Sequence, residues 1–202
     1  MTAWDGVARW YPLQEPAERA SWRLALRLAL PRPDDVALDL GCGPGTAVRQ
    51  LRRAGLPRPP GWVGLDASRS MLVRARAAGE PVVVAEVTRL PLAEASADLV
   101  VAGWLLHVLS AEARIRCLRE VARVLRPDGR CVVMVPAAPT TYLGRVARTV
   151  TRRLVGGSGA LSVPDDLDDA VTAAGLVIRH DAVTRAGYTA RVLLLAPRRG
   201  RA

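Results

Sequence analysis

The residues with the clearest chemical meaning are Asp39, Gly41, Gly43 and Gly45, an acid followed by three glycines at alternate positions. They follow the apolar run Val36-Ala37-Leu38 and precede Thr46-Ala47-Val48-Arg49-Gln50-Leu51, which reads as the opening of a helix. A strand, a glycine turn and a helix start make a ligand cradle. Without Cβ atoms the backbone turns sharply and approaches a bound group closely. The first N–H groups of the helix add partial positive charge beside it. A second acid, Asp66, ends the run Trp62-Val63-Gly64-Leu65. An acid about 20 residues past a glycine loop, at a strand's end, is placed to accept hydrogen bonds from ribose hydroxyls. Ala67 and Met71 stand beside it, and Ser68 offers the alternative of a helix cap with Asp66 as its neighbour. Cys42, inside the loop, reads as a small filler and not as a nucleophile.

Alternating strands and helices must position these groups. A helix is expected from Glu15 to Leu30, stopped by Pro31 and Pro33. Strands are expected at 36–40, at 62–66, and at 82–86 as a third buried strand carrying Glu86 and leading to Val87. Ala97 to Gly103 reads as the fourth, running into Trp104-Leu105-Leu106-His107 at the start of the next helix. An amphipathic helix over 114–125 leads through Pro127-Asp128-Gly129, read as a turn, to a strand over 131–135. Tyr142 to Leu154 can form a helix with Arg145, Arg148 and Arg152 close together, and 156–159 is glycine-rich enough to hinge. That helix reads either as a solvated face or as a substrate lid meeting an anionic group or a membrane surface. A last helix over 164–175 carries acids in its first turn, and 176–179 and 188–196 read as closing strands before a basic tail. The result is an α/β sandwich on a mostly parallel sheet, with Asp39, the loop, Asp66, Glu86, Gly103 and Trp104 on the edge where such sheets bind ligands.

Bulk properties exclude other classes. At 202 residues, half of them hydrophobic, the chain fits one domain with a sizeable core. No apolar run reaches the roughly 18 residues of a membrane span. No secretory leader is visible, and three cysteines at scattered spacings argue against a disulfide frame or a zinc site, so the expected compartment is a reducing cytoplasm. The net charge is +10 and the pI about 11.1, which invites a nucleic-acid partner. All 29 basic residues are arginine, however, with no Lys, Asn or Phe in the chain, so much of that charge reads as compositional.

The spacing Asp39-Leu40-Gly41-Cys42-Gly43-Pro44-Gly45 resembles motif I of the class I S-adenosylmethionine methyltransferases. The dinucleotide pattern G-x-G-x-x-G does not fit, because Thr46 occupies its third glycine. Leu125-Arg126-Pro127-Asp128-Gly129 between helix and strand resembles a second signature of that family. Trp4 to Tyr11 resembles the leader that closes over the cofactor in its small-molecule members, with Tyr11 on the final tyrosine; the alternative is an aromatic anchor packing the N-terminus onto the core. The resemblance covers 4–135 and, more loosely, the closing helix and strands. It is nearest to the group containing the ubiquinone and menaquinone C-methyltransferases.

That resemblance implies a Rossmann-like sandwich with a mostly parallel seven-stranded sheet and an antiparallel closing strand. It divides a single domain of 1–202 into N-terminal lid and helices (1–34), cofactor-binding core (35–135), variable substrate-side segment (136–163) and closing helix and strands (164–197). The implied cofactor is S-adenosylmethionine, leaving as S-adenosylhomocysteine. Gly41, Gly43 and Gly45 would admit its methionyl part and ribose, Glu86 its adenine amino group and the Val87 backbone a ring nitrogen. The family more often has Asp at the position of Glu86. Trp104, His107, Tyr142 and Arg145 are candidates for the acceptor pocket, and His107 for a general base; their alternatives are core packing for Trp104 and a hydrogen-bonded helix position for His107.

The expected activity is methyl transfer to a small molecule, hydrophobic or anionic, with no metal. Transfer from a sulfonium is an in-line displacement, in which positioning supplies most of the rate. The motifs of base-amino and cytosine C5 methylation are absent from the sequence, which disfavours an RNA-modifying enzyme as the alternative. A second alternative is a protein of this fold that binds the cofactor without transferring methyl. Peripheral membrane contact and oligomeric state are left open by the sequence.

Overall fold

The computed structural model describes residues 15–138 and 164–198. Tyr11, Tyr142, Arg145 and the rest of the leader, the 142–154 helix, the 156–159 hinge and the tail beyond Arg198 lie outside the described residues.

Helix α1 (Glu15–Ala29) carries two acids in its first turn and buries Glu18, Ser21, Trp22, Ala25, Leu26 and Ala29, a stripe at helical spacing. Then come β1 (Val36–Leu40), α2 (Thr46–Arg53), β2 (Gly61–Asp66), α3 (Arg69–Ala77), β3 (Val82–Val84) and β4 (Ala97–Gly103). A short 3-10 turn (Leu106–Val108), α4 (Ala111–Val124), β5 (Leu125–Pro136), α5 (Leu167–Ala173), β6 (Leu176–Thr184) and β7 (Ala190–Pro197) complete the described chain. Serine caps start two of the helices: Ser68 Oγ accepts from Met71 N at 3.3 Å, and Ser110 Oγ from Ala113 N at 3.2 Å.

The seven strands lie in the order β3-β2-β1-β4-β5-β7-β6. Neighbours are parallel from β3 through β5, while β7 runs antiparallel to both β5 and β6. The alternation of side chains sorts the core onto two faces. Leu38, Leu40, Val100, Ala102, Val133 and Val135 meet Cys117, Leu118 and Val121 of α4 and Leu167 and Val171 of α5. Ala37, Trp62, Leu99, Val101, Val132 and Met134 meet Trp22 and Leu26 of α1 and Ala47, Val48 and Leu51 of α2.

Several sequence expectations change here. β3 stops at Val84, short of Glu86, and is an edge strand with Val83 and Val84 exposed, because among the described residues β2 is its only neighbour. Pro127-Asp128-Gly129 stays inside β5, where the step from Ala97 to Leu99 on β4 is matched by that from Leu125 to Arg130, so the extra residues bulge from the ladder. The helix expected to begin at Trp104 is one 3-10 turn, and α4 starts afresh at Ser110. Tyr188 lies in the β6–β7 connection and not in the last strand.

Candidate functional site

The chain reverses direction across the sheet at β1: the connection through α2 leads to β2 on one side, and β4 lies on the other. A crevice outside the carboxyl ends of strands is expected at such a point. Asp39, the glycine loop, Asp66, Gly103 and Trp104 all converge there, and the residues that sequence reading singled out on β1, β2 and β4 share one edge.

The loop leaves β1 through Gly41 at φ 62°, whose N–H donates to Leu65 O at 2.7 Å. A side chain at Gly41 would meet Leu105 Cδ1 at 2.8 Å, so this glycine packs against the segment after β4. Gly43, at φ 53°, faces open space among the described residues: a Cβ there would meet none of their atoms closer than Gly41 O at 3.9 Å. Gly45 faces α3, since a Cβ there would lie 3.1 Å from Ala75 Cα, and it caps α2 with no side-chain partner for the helix N–H groups. Of the three, Gly43 is the one that opens onto the crevice.

Asp66 holds the cradle together. One carboxylate oxygen accepts from Gly43 N at 2.9 Å, and the other from Ser68 N at 2.8 Å. It thus braces the cap of α3, the alternative that Ser68 offered, and its carboxylate oxygens keep further acceptor capacity. Ala67 beside it is exposed, while Met71 is buried under the first turn of α3. Val87 is buried, and Glu86 is exposed in the loop after β3. That loop is pinned by α4, since Leu90 N donates to Glu120 at 2.7 Å and Arg123 donates to the carbonyls of Leu90 and Leu92.

A feature the sequence reading missed lies beneath the loop. Asp39 and Glu80 are both buried, and Trp62 Nε1 donates to Glu80 Oε1 at 2.7 Å. Burial, then the charge of Glu80, raises the Asp39 carboxyl well above its ordinary range; burial also raises Glu80. The same burial, with Asp39, Glu80 and Asp66 nearby, drives the Cys42 thiol up, so it is held protonated, packed with Leu72 and Ala75. Glu80 sits between Gly79 and Pro81, a context that reads as a surface turn, so nothing local marked it.

Past β4 stands an aromatic wall. Trp104 adopts φ 59°, unusual for a bulky residue, with its N–H donating to Met134 O at 3.0 Å. Its ring meets His107 edge-on, with centroids 6.1 Å apart, and Tyr188 at 6.4 Å. His107 is buried on the 3-10 turn. Arg114 holds that turn, donating to Leu106 O and Leu109 O at 3.0 Å each and pairing with Asp166 before α5. Behind Trp104, the bare Cα of Gly103 makes room for the Trp22 ring, since a Cβ would lie 2.6 Å from Cη2. Trp22 Nε1 donates to Glu18 at 3.3 Å, and burial pushes the Glu18 carboxyl up to about 7. Neither Glu18 nor Tyr188 was expected; the one available sign for Glu18 was its place on the apolar stripe of α1.

Among the described residues no cluster of three His, Cys, Asp or Glu could hold a metal ion, and no helix is long and apolar enough to cross a membrane. The three cysteines are free and buried. A hollow lined by Pro127, Asp128, Gly129, Arg179, Ala196 and Pro197 lies beside the start of β5, away from this edge.

Residues 38–133 match the family described as methyltransferase domain. The demethylmenaquinone methyltransferase of Mycolicibacterium vanbaalenii is 38% identical over 146 residues, covering 69% of this chain and 60% of that protein. The chain thus spans about three fifths of the length of the curated relatives it matches. Among solved structures, the magnesium protoporphyrin IX methyltransferase of Synechocystis, crystallised with S-adenosylhomocysteine, superposes with a TM-score of 0.66 at 19% identity, over 90% of this chain and 84% of that one. The cyclase SpnF superposes with a TM-score of 0.67 at 15% identity, over 90% and 82%. The seven-stranded sandwich is therefore the Rossmann-like fold of class I methyltransferases.

Proposed function

We propose, on the premise that residues 38–133 form a class I methyltransferase domain similar to the demethylmenaquinone enzymes, that this protein transfers a methyl group from S-adenosylmethionine to a small apolar-ring acceptor. The observation that carries the reading is the open space at Gly43, between a glycine turn and the Asp66 carboxylate at the switch in strand order. These residues fit the cofactor. Asp66 accepts from ribose hydroxyls, Gly43 admits the backbone-close part of the ligand, and Glu86 with the Val87 backbone takes the adenine. When bound, the cofactor supplies an activated methyl for in-line displacement by the acceptor's nucleophilic atom. The protein's work is to align and to exclude water.

The wall of Trp104, His107 and Tyr188 supports an aromatic or quinone-like acceptor, because ring faces and edges stack well. His107, beside Trp104, is the proposed base for an acceptor that must lose a proton. Tyr11, Tyr142 and Arg145 complete the reading as lid and acceptor-side groups. Three buried free thiols agree with work in a reducing cytoplasm. The test is calorimetric titration with S-adenosylmethionine, S-adenosylhomocysteine and NAD, followed by transfer of labelled methyl to a naphthoquinol. Binding of the first two ligands without NAD, and label on the quinol, is the expected result; NAD binding instead would replace the cofactor assignment.

A second reading is a cofactor-binding protein of other chemistry, favoured by the likeness to a cyclase of the same fold. Under it the cofactor binds and the label stays on it with every acceptor tried.

A further inference from the structure

Asp39 is paired in register with Gly64 on the neighbouring strand. Because Gly64 lacks a Cβ, its place is filled from two sides: Glu80 Oε1 lies 2.8 Å and Cys42 Sγ 2.9 Å from where that atom would be. Glu80 Oε2 in turn lies 3.1 Å from the Cβ position of Gly45. The acid thus reaches from the turn after α3 to β2 and to the Gly45 end of the glycine loop. Asp39 Oδ2 and Glu80 Oε2 are buried, neither meets an N–H or O–H donor among the described residues, and the two carboxyls face each other. Two buried carboxyls in contact do not both ionise, and a proton held between them supplies the missing donor.

We propose that Glu80 is a positioning residue of the cofactor cradle, sharing one proton with Asp39 in the free protein, and that this proton is released when the cationic cofactor binds. The inference rests on the reading of this edge as the S-adenosylmethionine site. That ligand carries a sulfonium and an ammonium against one carboxylate, so it brings a net positive charge to the carboxyl pair. The O–H bond of the pair breaks, its electrons stay on the carboxylate, and the proton passes to buffer. Other groups facing the pair are Asp66 from the end of β2, which favours holding the proton, the neutral Cys42 from the loop, and Arg49 of α2 and Arg58 before β2, which oppose it. Trp62 N–H binds the other oxygen of Glu80, Oε1, and so fixes the orientation of that carboxyl.

The experiment is calorimetric titration of the whole protein with S-adenosylmethionine, in buffers of different ionisation enthalpy across a range of pH. The wild type should release close to one proton per ligand wherever the pair is protonated, with affinity rising about tenfold per pH unit there. In Glu80→Gln the amide donates to Asp39 and leaves it ionised, so release and pH dependence should both vanish while binding remains. In Asp39→Asn binding should weaken and release should also vanish, and circular dichroism checks the fold of both variants. Binding by the wild type without release, or equal release in Glu80→Gln, overturns the inference and leaves the methyltransferase reading standing. No binding at any pH overturns both.

Discussion

At the scale of single residues, two groups carry the sharpest expectations. Gly43 combines positive φ with open space, so Gly43→Val fills the crevice and strains the turn by roughly 1–2 kcal/mol. Calorimetry should show loss of S-adenosylmethionine binding, with circular dichroism still that of a folded protein. Glu18 is held neutral by burial, so its carboxyl binds a proton more tightly folded than unfolded. Between its ordinary value of 4.5 and about 7 the native state therefore holds the extra proton, and stability falls as pH rises through that window. Above it the cost to the native state is on the order of 3 kcal/mol, and Glu18→Gln should remove it. Denaturation in urea at pH 5 and pH 8 checks this: the wild type should lose more stability between the two than Glu18→Gln, the remainder coming from the raised Asp39 and Glu80 carboxyls. The glycine loop and Asp66 were legible in the sequence because their chemistry is local, set by spacing along a few residues. Glu80 was not, because it lies in the turn after α3 while Asp39 lies on β1, and no short pattern records their meeting.

At the scale of elements, the site depends on how neighbours pin one another. Arg114, itself buried, satisfies the carbonyls of Leu106 and Leu109 and so fixes the turn that carries His107. Arg114→Met keeps apolar bulk but leaves those carbonyls without a donor, and should cost roughly 2–3 kcal/mol in chemical denaturation. The β6–β7 connection is fixed by Gly187, whose absent Cβ would lie 2.0 Å from Ala17 O, while Tyr188 N donates to that same oxygen at 2.9 Å. Gly187→Ala should push Tyr188 off Trp104, which a change in tryptophan fluorescence would report, with a smaller effect on cofactor affinity than on acceptor KM. Apolar runs located β1 and β4, which are buried on both faces, and Pro31 and Pro33 marked the end of α1. The same pattern misjudged β3, since three valines read as buried whether a strand is central or at an edge. It also missed the bulge at Pro127-Asp128-Gly129, where turn residues are absorbed by a parallel neighbour.

At the scale of the whole molecule, the positive charge is worked into the fold. Eight arginines, among them Arg49, Arg53, Arg114, Arg130 and Arg191, pair with acids within the described residues. Arg130 joins three regions, donating to Asp35 at 2.6 Å and to Leu30 O at 2.7 Å from β5. The contact of Tyr188 with α1 joins the two extremes of the described chain in the same way. A chain emerging from the ribosome completes β1, its glycine turn and β2 early, yet the aromatic wall stays open until the last hairpin has been made and folds back on Ala17. A nascent chain halted before Tyr188 would then hold a cofactor cradle with no wall for the acceptor. Synthesis itself would keep the site from working before it is whole.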